Sequence, residues 1–374
     1  MGLICILIDG RFIQDHFPGI GRYTYNLVAA LARVAPDDRF ILLHNPALKN
    51  SRYGLAALAR FPNLELRRVD APTRSVREQF AIPRAVGDHE GRPYIFHSPY
   101  YIKPYFLVAR SVVSIFDLIP LRVPNDLPNA FARLAFRAAN WLAARTAARI
   151  IAPSAATRDD LIVILRVPRA KIAVVPLAAD ARFTPQPENE ITRVREKYAL
   201  PREYALSVGI NKPHKNIATL VRAWRRVKSR AVLVIAGAWD ERYAGKQEGG
   251  GAGEICFIHN IPDADLPALY AGARVFVMPS LYEGFGLPAL EAMACGAPVI
   301  ASNVSSLPEV VGDAALLFNP RDDAALAQLL ARVLDDAALR DELRAKSRAR
   351  ARNFSWERTA RETLAVYRKV ISQQ

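Results

Sequence analysis

Two glutamates separated by seven residues carry the clearest chemical signal in this 374-residue sequence. Glu283 opens the glycine-rich turn Glu283-Gly284-Phe285-Gly286, and Glu291 follows the turn. Carboxylates accept hydrogen bonds from hydroxyl groups. The amides of a glycine turn and of a helix start favour a bound anion, above all phosphate. The segment therefore predicts a ligand that carries both hydroxyls and phosphate, such as a sugar nucleotide.

The turn lies between a predicted strand and a predicted helix. The preceding run, 273–278, is apolar and contains branched and aromatic residues, which is typical of a buried strand. Pro288 is a favoured first helical residue, because the amide that it lacks would be unpaired there. The run 289–295 is helix-prone, and Gly296 is placed to end the helix. The amides of Gly284 to Leu287 are therefore expected at a helix start, where a phosphate would lie.

The string EGFGLPALEAMACGAPVIAS, which contains both glutamates, resembles the E-x7-E motif of retaining glycosyltransferases of family 4. The likeness extends over nearly the whole chain. It implies the GT-B fold, with two Rossmann-like domains that face each other across a cleft. IDGR, PGIGRY and DLIPL resemble the subgroup of bacterial O-antigen mannosyltransferases. The alternative, a buried strand-to-helix turn with incidental glutamates, fits less well because the whole string matches.

The resemblance implies a role for each matching residue on the donor side. Glu283 would bind hydroxyls of the donor sugar, and Glu291 hydroxyls of the ribose. Lys215, in the turn 209–216, matches a cationic position that neutralises the diphosphate, and His214 stands where the family frequently has Arg. The expected donor-binding residues are Gly19, Gly209, His214, Lys215, Glu283, Gly284, Phe285, Gly286, Leu287 and Glu291. The expected catalytic residues are Lys215, Glu283 and His97.

A second glycine turn stands near the amino terminus. The apolar run 3–8 predicts a strand that ends at Asp9, and the run 18–23 (PGIGRY) opens a helix. This turn resembles the first glycine loop of the family, where the acceptor meets the phosphate side of the donor. Pro18 replaces one glycine, so only Gly19 and Gly21 match, and a simple packing turn stays an alternative. The expected acceptor-side residues are Asp9, Gly21, Arg22, Tyr23 and Asp117.

Two further residues follow predicted strands of the first half. His97 ends the run 94–97, and ligands bind beyond the carboxyl ends of parallel strands. The resemblance implies that His97 contacts the sugar, although a lone histidine is more often structural. Asp117 follows the run 110–116, in which Phe116 stands where the family commonly has His. We therefore expect Asp117 to orient its loop.

Alternating strands and helices in both halves predict two doubly wound parallel sheets. The predicted amino-terminal, acceptor-side domain covers residues 1–178, and the nucleotide-sugar domain covers 179–356. A proline-containing linker is expected at 178–189, and one long helical stretch at 324–352. The resemblance implies that the final helix, within 357–374, packs back on the first domain.

The net charge of +15 is concentrated in the first half, where residues 1–180 carry 24 Lys and Arg against 14 Asp and Glu. This excess fits an acidic membrane surface or simple solubility. No nucleic-acid partner is expected, because the arginines of 60–84 are not interleaved regularly with aromatic residues. Arg133, Arg137, Arg145 and Arg149 recur along a predicted helix, with Trp141 among them. A solvated face and a face on a membrane are both open for that helix.

The sequence predicts a cytoplasmic protein without resident cofactor or metal. No apolar run approaches the ~20 residues of a membrane span. The three cysteines stand in separate apolar segments, which indicates free thiols in a reducing compartment. No carboxylate cluster indicates a metal. A peripheral position at the inner face of the membrane is a further expectation.

The expected activity is retaining transfer of a mannose- or glucose-type hexose from a GDP- or UDP-linked sugar. The acceptor would be a hydroxyl of a glycan or lipid-linked molecule in cell-surface polysaccharide synthesis. Three alternatives stay open: an epimerase or hydrolase of the same fold, a nucleic-acid glucosyltransferase or binding protein, and a non-catalytic carbohydrate-binding protein. The second is raised by the isoelectric point of about 10.0.

Overall fold

The computed structural model describes residues 3–86, 93–107, 109–123, 126–243 and 255–373. The chain divides into two compact α/β units. Unit 1 comprises Met1–Leu118, Ala130–Leu177 and Ser355–Gln374, and unit 2 comprises Ile119–Asn129 and Ala178–Phe354.

Unit 1 contains a seven-stranded sheet whose order is β3-β2-β1-β4-β5-β6-β7, and all its neighbouring strands are parallel. The strands are β1 (Cys5–Asp9), β2 (Arg39–His44), β3 (Leu64–Arg68), β4 (Tyr94–Ser98), β5 (Ser111–Ser114), β6 (Arg149–Ala152) and β7 (Ile172–Val174). Every residue of β1 and β5 is buried, as expected of central strands covered on both faces. Ile8 of β1 pairs with His97 of β4, so the carboxyl ends of these strands are adjacent.

The helices of unit 1 are α1 (Pro18–Val34), α2 (Glu78–Ala85), α4 (Ala130–Thr146), α5 (Ala155–Leu165) and α13 (Trp356–Ile371). Helix α1 begins with Pro18 at its first position. Ser355 caps α13, because its side chain accepts a hydrogen bond from the amide of Arg358. Helix α13 packs against α1 and β4 within unit 1.

Unit 2 contains a six-stranded parallel sheet of order β10-β9-β8-β11-β12-β13. The strands are β8 (Tyr204–Val208), β9 (Val232–Ala236), β10 (Ile255–Ile258), β11 (Val275–Met278), β12 (Val299–Ser302) and β13 (Ala315–Phe318). The helices are α3 (Ile119–Arg122), α6 (Glu188–Lys197), α7 (Ile217–Trp224), α8 (Leu266–Gly272), α9 (Leu287–Ala294), α10 (Leu307–Val311), α11 (Asp323–Asp335) and α12 (Ala337–Ala351). Two separate apolar clusters pack against this sheet, and the prediction of doubly wound parallel sheets is confirmed.

Several predicted boundaries differ from the structure. The stretch 324–352 is two helices, because Asp336 ends α11 and its side chain caps α12 by accepting the amide of Leu339 at 2.9 Å. Helix α6 begins inside the predicted linker, and strand β13 is not predicted at all. Residues 119–129, placed in the first domain by the sequence, group with unit 2. None of the helices in the described ranges is long and apolar enough to cross a membrane.

Candidate functional site

The glycine turn of unit 2 connects β11 to α9. Gly286 caps α9 with a φ of +104°, a conformation that side-chain-bearing residues rarely adopt. A Cβ atom at this position would lie 2.7 Å from Cδ2 of Leu307. Helix α9 therefore begins at Leu287, and Pro288 occupies its first turn. The predicted order of strand, glycine turn and helix is present.

A partly buried ion pair lies at this turn. Lys215 Nζ donates a hydrogen bond to Glu283 Oε1 at 2.7 Å, and the two side chains are only 15% and 9% exposed. The main chain of Glu283 is held on both sides, since its amide donates to Ser305 Oγ and its carbonyl accepts from Ser306 Oγ, each at 2.9 Å. The carboxylate therefore sits on a fixed backbone.

Charge neighbours keep Glu283 ionised. Burial by itself favours the neutral carboxyl, but the positive charge of Lys215, followed by that of His214, outweighs it and holds the pKa of Glu283 below its ordinary value. The site therefore presents one ammonium and one carboxylate at neutral pH. These groups can bind an anion and a hydroxyl group respectively.

Lys215 is positioned by the segment that follows β8. The short 3-10 turn Pro213–Lys215 ends at Asn216, which has a φ of +54°. The side-chain amide of Asn216 donates to the carbonyls of Pro279 at 3.0 Å and Pro320 at 2.8 Å, which ties this turn to the end of β11. A Cβ at Gly209 would lie 3.5 Å from Lys215 Cε, so the lysine stem passes over that glycine.

His214 has a carboxylate partner that sequence reasoning missed. Its Nδ1 lies 2.6 Å from Asp126 Oδ1, and the two side chains are 8% and 3% exposed. The carbonyl of His214 accepts the amide of Leu281 at 2.7 Å, next to the glycine turn. Asp126 precedes His214 by 88 positions, in residues 119–129, and no local pattern links the two.

The remaining donor-side residues lie in or beside α9. Glu291 is 3% exposed and accepts a hydrogen bond from the hydroxyl of Tyr270 at 3.2 Å. Burial, followed by the charge of Glu291, raises the pKa of the Cys295 thiol. Phe285 is buried, and its ring meets that of Phe354 edge to face at 5.9 Å between centroids.

In unit 1, Asp9 belongs to a closed ion cluster. Arg11 makes five side-chain hydrogen bonds: two to Asp9, one to Glu78, and one each to the carbonyls of Ala71 and Pro72. Asp9 is 0% exposed and Arg11 is 2% exposed. Burial raises the pKa of Glu78 against the opposing charge of Arg11. Asp9 is thus paired within unit 1, and its expected acceptor-side role stays a prediction.

His97 also lies in the core of unit 1. Its Nε2 is hydrogen-bonded to Ser114 Oγ at 2.9 Å and its Nδ1 to the hydroxyl of Tyr367 at 2.6 Å. The hydroxyl of Tyr23 joins the same chain through Ser114 Oγ at 2.9 Å. Burial lowers the pKa of His97 to about 3. The ring is 0% exposed and Tyr23, at 1%, is buried with it, and the sugar contact expected of His97 stays a prediction.

The donor-side residue Gly19 and the remaining acceptor-side residues, Gly21, Arg22 and Asp117, differ in exposure. Gly19 is exposed, and a Cβ there would meet nothing within 4 Å. Gly21 is buried, and a Cβ would lie 3.2 Å from the carbonyl oxygen of Phe12, which fits a close approach of α1 to the preceding turn. Arg22 Nε donates to the hydroxyl of Tyr53 at 3.3 Å, and Asp117 is half-buried. Within the described ranges, no group of three or more His, Cys, Asp or Glu side chains is arranged to hold a metal.

Two Rossmann-like parallel-sheet units, with a lysine–glutamate pair at the start of a helix in the second, define the GT-B class of glycosyltransferases. Two family models match the chain: "Glycosyltransferase Family 4" over residues 18–183 and "Glycosyl transferases group 1" over residues 189–353. The chain belongs to glycosyltransferase family 4.

Individual relatives agree with this assignment. O-antigen chain mannosyltransferase B of Escherichia coli is 34% identical over 381 residues, which cover 95% of this chain and 97% of that protein. Among solved structures, sucrose-phosphate synthase from Thermosynechococcus elongatus has a TM-score of 0.75 at 21% identity, with 100% of both chains covered. Anabaena HepE in complex with UDP-glucose has a TM-score of 0.72 at 16% identity, covering 98% of this chain and 100% of that one.

Proposed function

We propose that this protein transfers a mannose- or glucose-type hexose from a GDP- or UDP-linked sugar to a hydroxyl of a glycan or lipid-linked acceptor, with retention of anomeric configuration. The observation that carries the proposal is the partly buried pair of Lys215 and Glu283 at the turn that leads into α9. The full-length relation to an O-antigen chain mannosyltransferase supports a place in cell-surface polysaccharide synthesis. The likeness to a UDP-glucose-bound structure supports a nucleotide-sugar donor.

The leaving diphosphate sets the main chemical demand. As the bond from the anomeric carbon to the phosphate oxygen breaks, negative charge grows on that oxygen. In this proposal Lys215 and the amides of Gly284 to Leu287 stabilise this charge, and one such fixed donor contributes roughly 3–4 kcal/mol. The acceptor oxygen attacks from the same face of the sugar, and the departing phosphate oxygen takes the acceptor proton. No metal is needed along this route, because the ammonium and the amides supply the charge stabilisation.

The two glutamates bind in this scheme and do not attack. Glu283 accepts hydrogen bonds from hydroxyls of the donor sugar while it stays paired with Lys215. Glu291, on helix α9 after the turn, accepts hydrogen bonds from the ribose hydroxyls. Both groups act on bound donor in the ground state and in the transition state, so they govern donor affinity more than turnover.

Asp126 is a positioning residue in this proposal. By accepting a hydrogen bond from Nδ1 of His214, it orients the ring and leaves Nε2 for the phosphate side of the donor. Asp126→Asn should lower kcat by about 10-fold, as the loss of a charge-assisted hydrogen bond implies, with little change in donor KM. Asp126→Asn in a His214→Arg background should lose much less, since Arg does not depend on Asp126 for its charge. An equal loss in both backgrounds would make Asp126 structural.

Product analysis tests the transfer itself. The protein is incubated with GDP-mannose, GDP-glucose and UDP-glucose, each with and without extracted glycan and lipid-linked acceptors. Acceptor-dependent nucleotide release and a product with the donor's anomeric configuration, read by NMR coupling constants, are the expected results. Fast turnover of donor alone would identify a hydrolase or epimerase instead. Inverted product would rule out retention.

We further propose a cytoplasmic location, since Cys5, Cys256 and Cys295 are all free thiols. We propose the acceptor-side role for the half-buried Arg22 and Asp117, with Gly19 of the same turn on the donor side. A nucleic-acid partner is not proposed. A gel shift with duplex DNA tests this, and salt-dependent binding would indicate a nucleic-acid partner.

A further inference from the structure

Exposed apolar side chains are concentrated in one part of unit 1. Seven of the ten large apolar side chains that are exposed in the described residues lie within 76–106 and 131–142. We call this set the apolar-basic face: Val76, Phe80, Phe106, Phe131, Leu134, Trp141 and Leu142. Exposed aliphatic and aromatic groups in one cluster, rather than scattered, mark an interaction surface.

Helix α4 turns its apolar stripe away from the core. Phe131, Leu134, Trp141 and Leu142 are separated by three, seven and one positions, which places them on one side of a helix. Phe131 is 79% exposed and Leu134 is 64% exposed. The buried residues of α4 are Asn140, Ala143 and Ala144. Helix α4 buries one polar and two small residues and exposes large apolar ones. We therefore expect its exposed side to contact a second apolar environment.

The loop 100–106 joins α4 to α2. On the α4 side, the rings of Tyr101 and Phe136 meet edge to face at 5.2 Å, and Lys103 Nζ donates to the carbonyl of Thr146 at 3.2 Å. These contacts place the loop beside α4 and close to its carboxyl end.

On the α2 side, the amide of Tyr105 donates to Gln79 Oε1 at 2.6 Å, and the rings of Phe80 and Phe106 lie 5.5 Å apart. The exposed side chains of α2, the loop and α4 therefore belong to adjoining elements of unit 1.

Within the described residues, the exposed charged side chains of α2 and α4 are arginines. The chain has no carboxylate side chain between Asp126 and Asp159, a range that contains all of α4. Exposed arginines accompany the apolar residues on α4 and on or just before α2: Arg77, Arg84, Arg133, Arg137 and Arg145. The guanidinium of Arg145 lies over the Trp141 ring at 5.8 Å. The carboxylate of α2, Glu78, is buried against Arg11 and offsets none of this surface charge.

We infer that the apolar-basic face docks unit 1 on an anionic lipid bilayer. Helix α4 lies in the interfacial plane, with Phe131, Leu134 and Trp141 at the boundary between headgroups and acyl chains. The arginines contact lipid phosphates. A bilayer meets both properties of the surface, since it offers an apolar layer directly beneath a sheet of negative charge. The inference rests on unit 1 alone and does not depend on the proposed transfer.

Vesicle binding by the full-length protein tests the inference. We expect co-sedimentation with vesicles of phosphatidylglycerol and phosphatidylcholine, weaker binding at high salt, and little binding to phosphatidylcholine alone. Tryptophan emission should shift to the blue on binding, and Trp141→Phe should remove that shift, because Trp224 and Trp356 are buried and the half-buried Trp239 belongs to unit 2, outside the face. An emission shift that survives in Trp141→Phe would overturn the orientation of α4.

A triple variant, Phe131→Ser, Leu134→Ser and Trp141→Ser, should weaken binding to anionic vesicles at least about 10-fold. Val163→Ser is the matched control, since Val163 is exposed on α5 outside the face, and it should bind as the wild type does. Thermal unfolding verifies that each variant is folded.

Unchanged vesicle binding by the triple variant overturns the inference. So does a wild-type dimer in light scattering that the triple variant loses, because the face would then join two copies of the chain. Transfer to a water-soluble acceptor separates this inference from the proposed function, since the triple variant should retain that activity. Vesicle binding without any transfer would leave the inference standing and remove the proposed function.

Discussion

Unit 1 has a charged cluster around Arg11 beyond β1, and unit 2 has one around Lys215 beyond β8 and β11. The two clusters differ in how many N–H groups of the cation are already hydrogen-bonded. Arg11 donates all five of its side-chain N–H groups, to Asp9, Glu78 and two carbonyls. Lys215 has three N–H groups, and among the residues that the structure describes it gives one of them, to Glu283. The first cluster is closed and holds the fold together. The second keeps donors for a ligand.

Local sequence does not separate these two uses. In both units an apolar strand leads to charged residues, a glycine-containing turn and a helix. What separates them is whether neighbouring elements supply enough acceptors to saturate the cation. Unit 1 does so with a carboxylate from α2, and unit 2 leaves Lys215 partly exposed.

Removing the cation from the closed cluster should produce the largest effect. Arg11→Met leaves Asp9 and Glu78 buried without a partner, so the free energy of unfolding should fall by about 3–5 kcal/mol. Urea unfolding followed by circular dichroism measures it. Arg68→Met is the control, because the Arg68–Asp70 pair is largely exposed and its loss should leave stability unchanged. Equal losses in the two variants would contradict a structural role for the Arg11 cluster.

Removing the cation from the open cluster should affect turnover and leave the fold intact. Lys215→Ala should cut kcat by at least ~100-fold, by analogy with the loss of an oxyanion donor. Steady-state kinetics with the active donor measures it. Lys212→Ala removes a lysine from the same loop and should keep near-normal kcat. A near-normal rate in Lys215→Ala would take this residue out of the mechanism.

His97, the buried histidine of unit 1, should make the stability of the protein depend on pH. The pKa of His97 falls from 6.5 to about 3 on folding, so below pH 6.5 the unfolded chain takes up a proton that the folded chain does not. The free energy of unfolding should therefore drop by about 1.4 kcal/mol per pH unit as the pH falls below 6.5. His97→Gln should lack this component. Urea unfolding at pH 7 and pH 5 tests it, and the same drop in both proteins would show that His97 is not its source.

The smallest effect is expected at the second glutamate of the donor side. Glu291→Ala should raise donor KM by about 10-fold at nearly constant kcat, because it removes binding common to the ground and transition states. Tyr270→Phe, which keeps the carboxylate and loses its hydroxyl partner, should raise KM less. A large loss of kcat with unchanged KM would assign Glu291 to the chemical step.

Local patterns were sufficient for most of the secondary structure. The apolar runs 204–208 and 94–97 became β8 and most of β4, and the helix predicted from Pro288 begins one residue earlier, at Leu287. The sequence does not predict strand β13, because a run of four apolar residues, ALLF, is too short to distinguish from a helix segment. Arg149 was assigned to the long basic helix but lies in β6, since α4 ends at Thr146.

The sequence by itself determined the two parallel sheets, the glycine turn before α9, the spacing of Glu283 and Glu291, and the family. These features depend on periodicity and on residue types within short windows. Tertiary structure alone decided which charges are closed off and which stay open. It joined His97 to Tyr367 across 270 positions and His214 to Asp126 across 88. Burial depends on elements distant in the chain, and the same side chain is a ligand group or a core group according to the partners that packing brings to it.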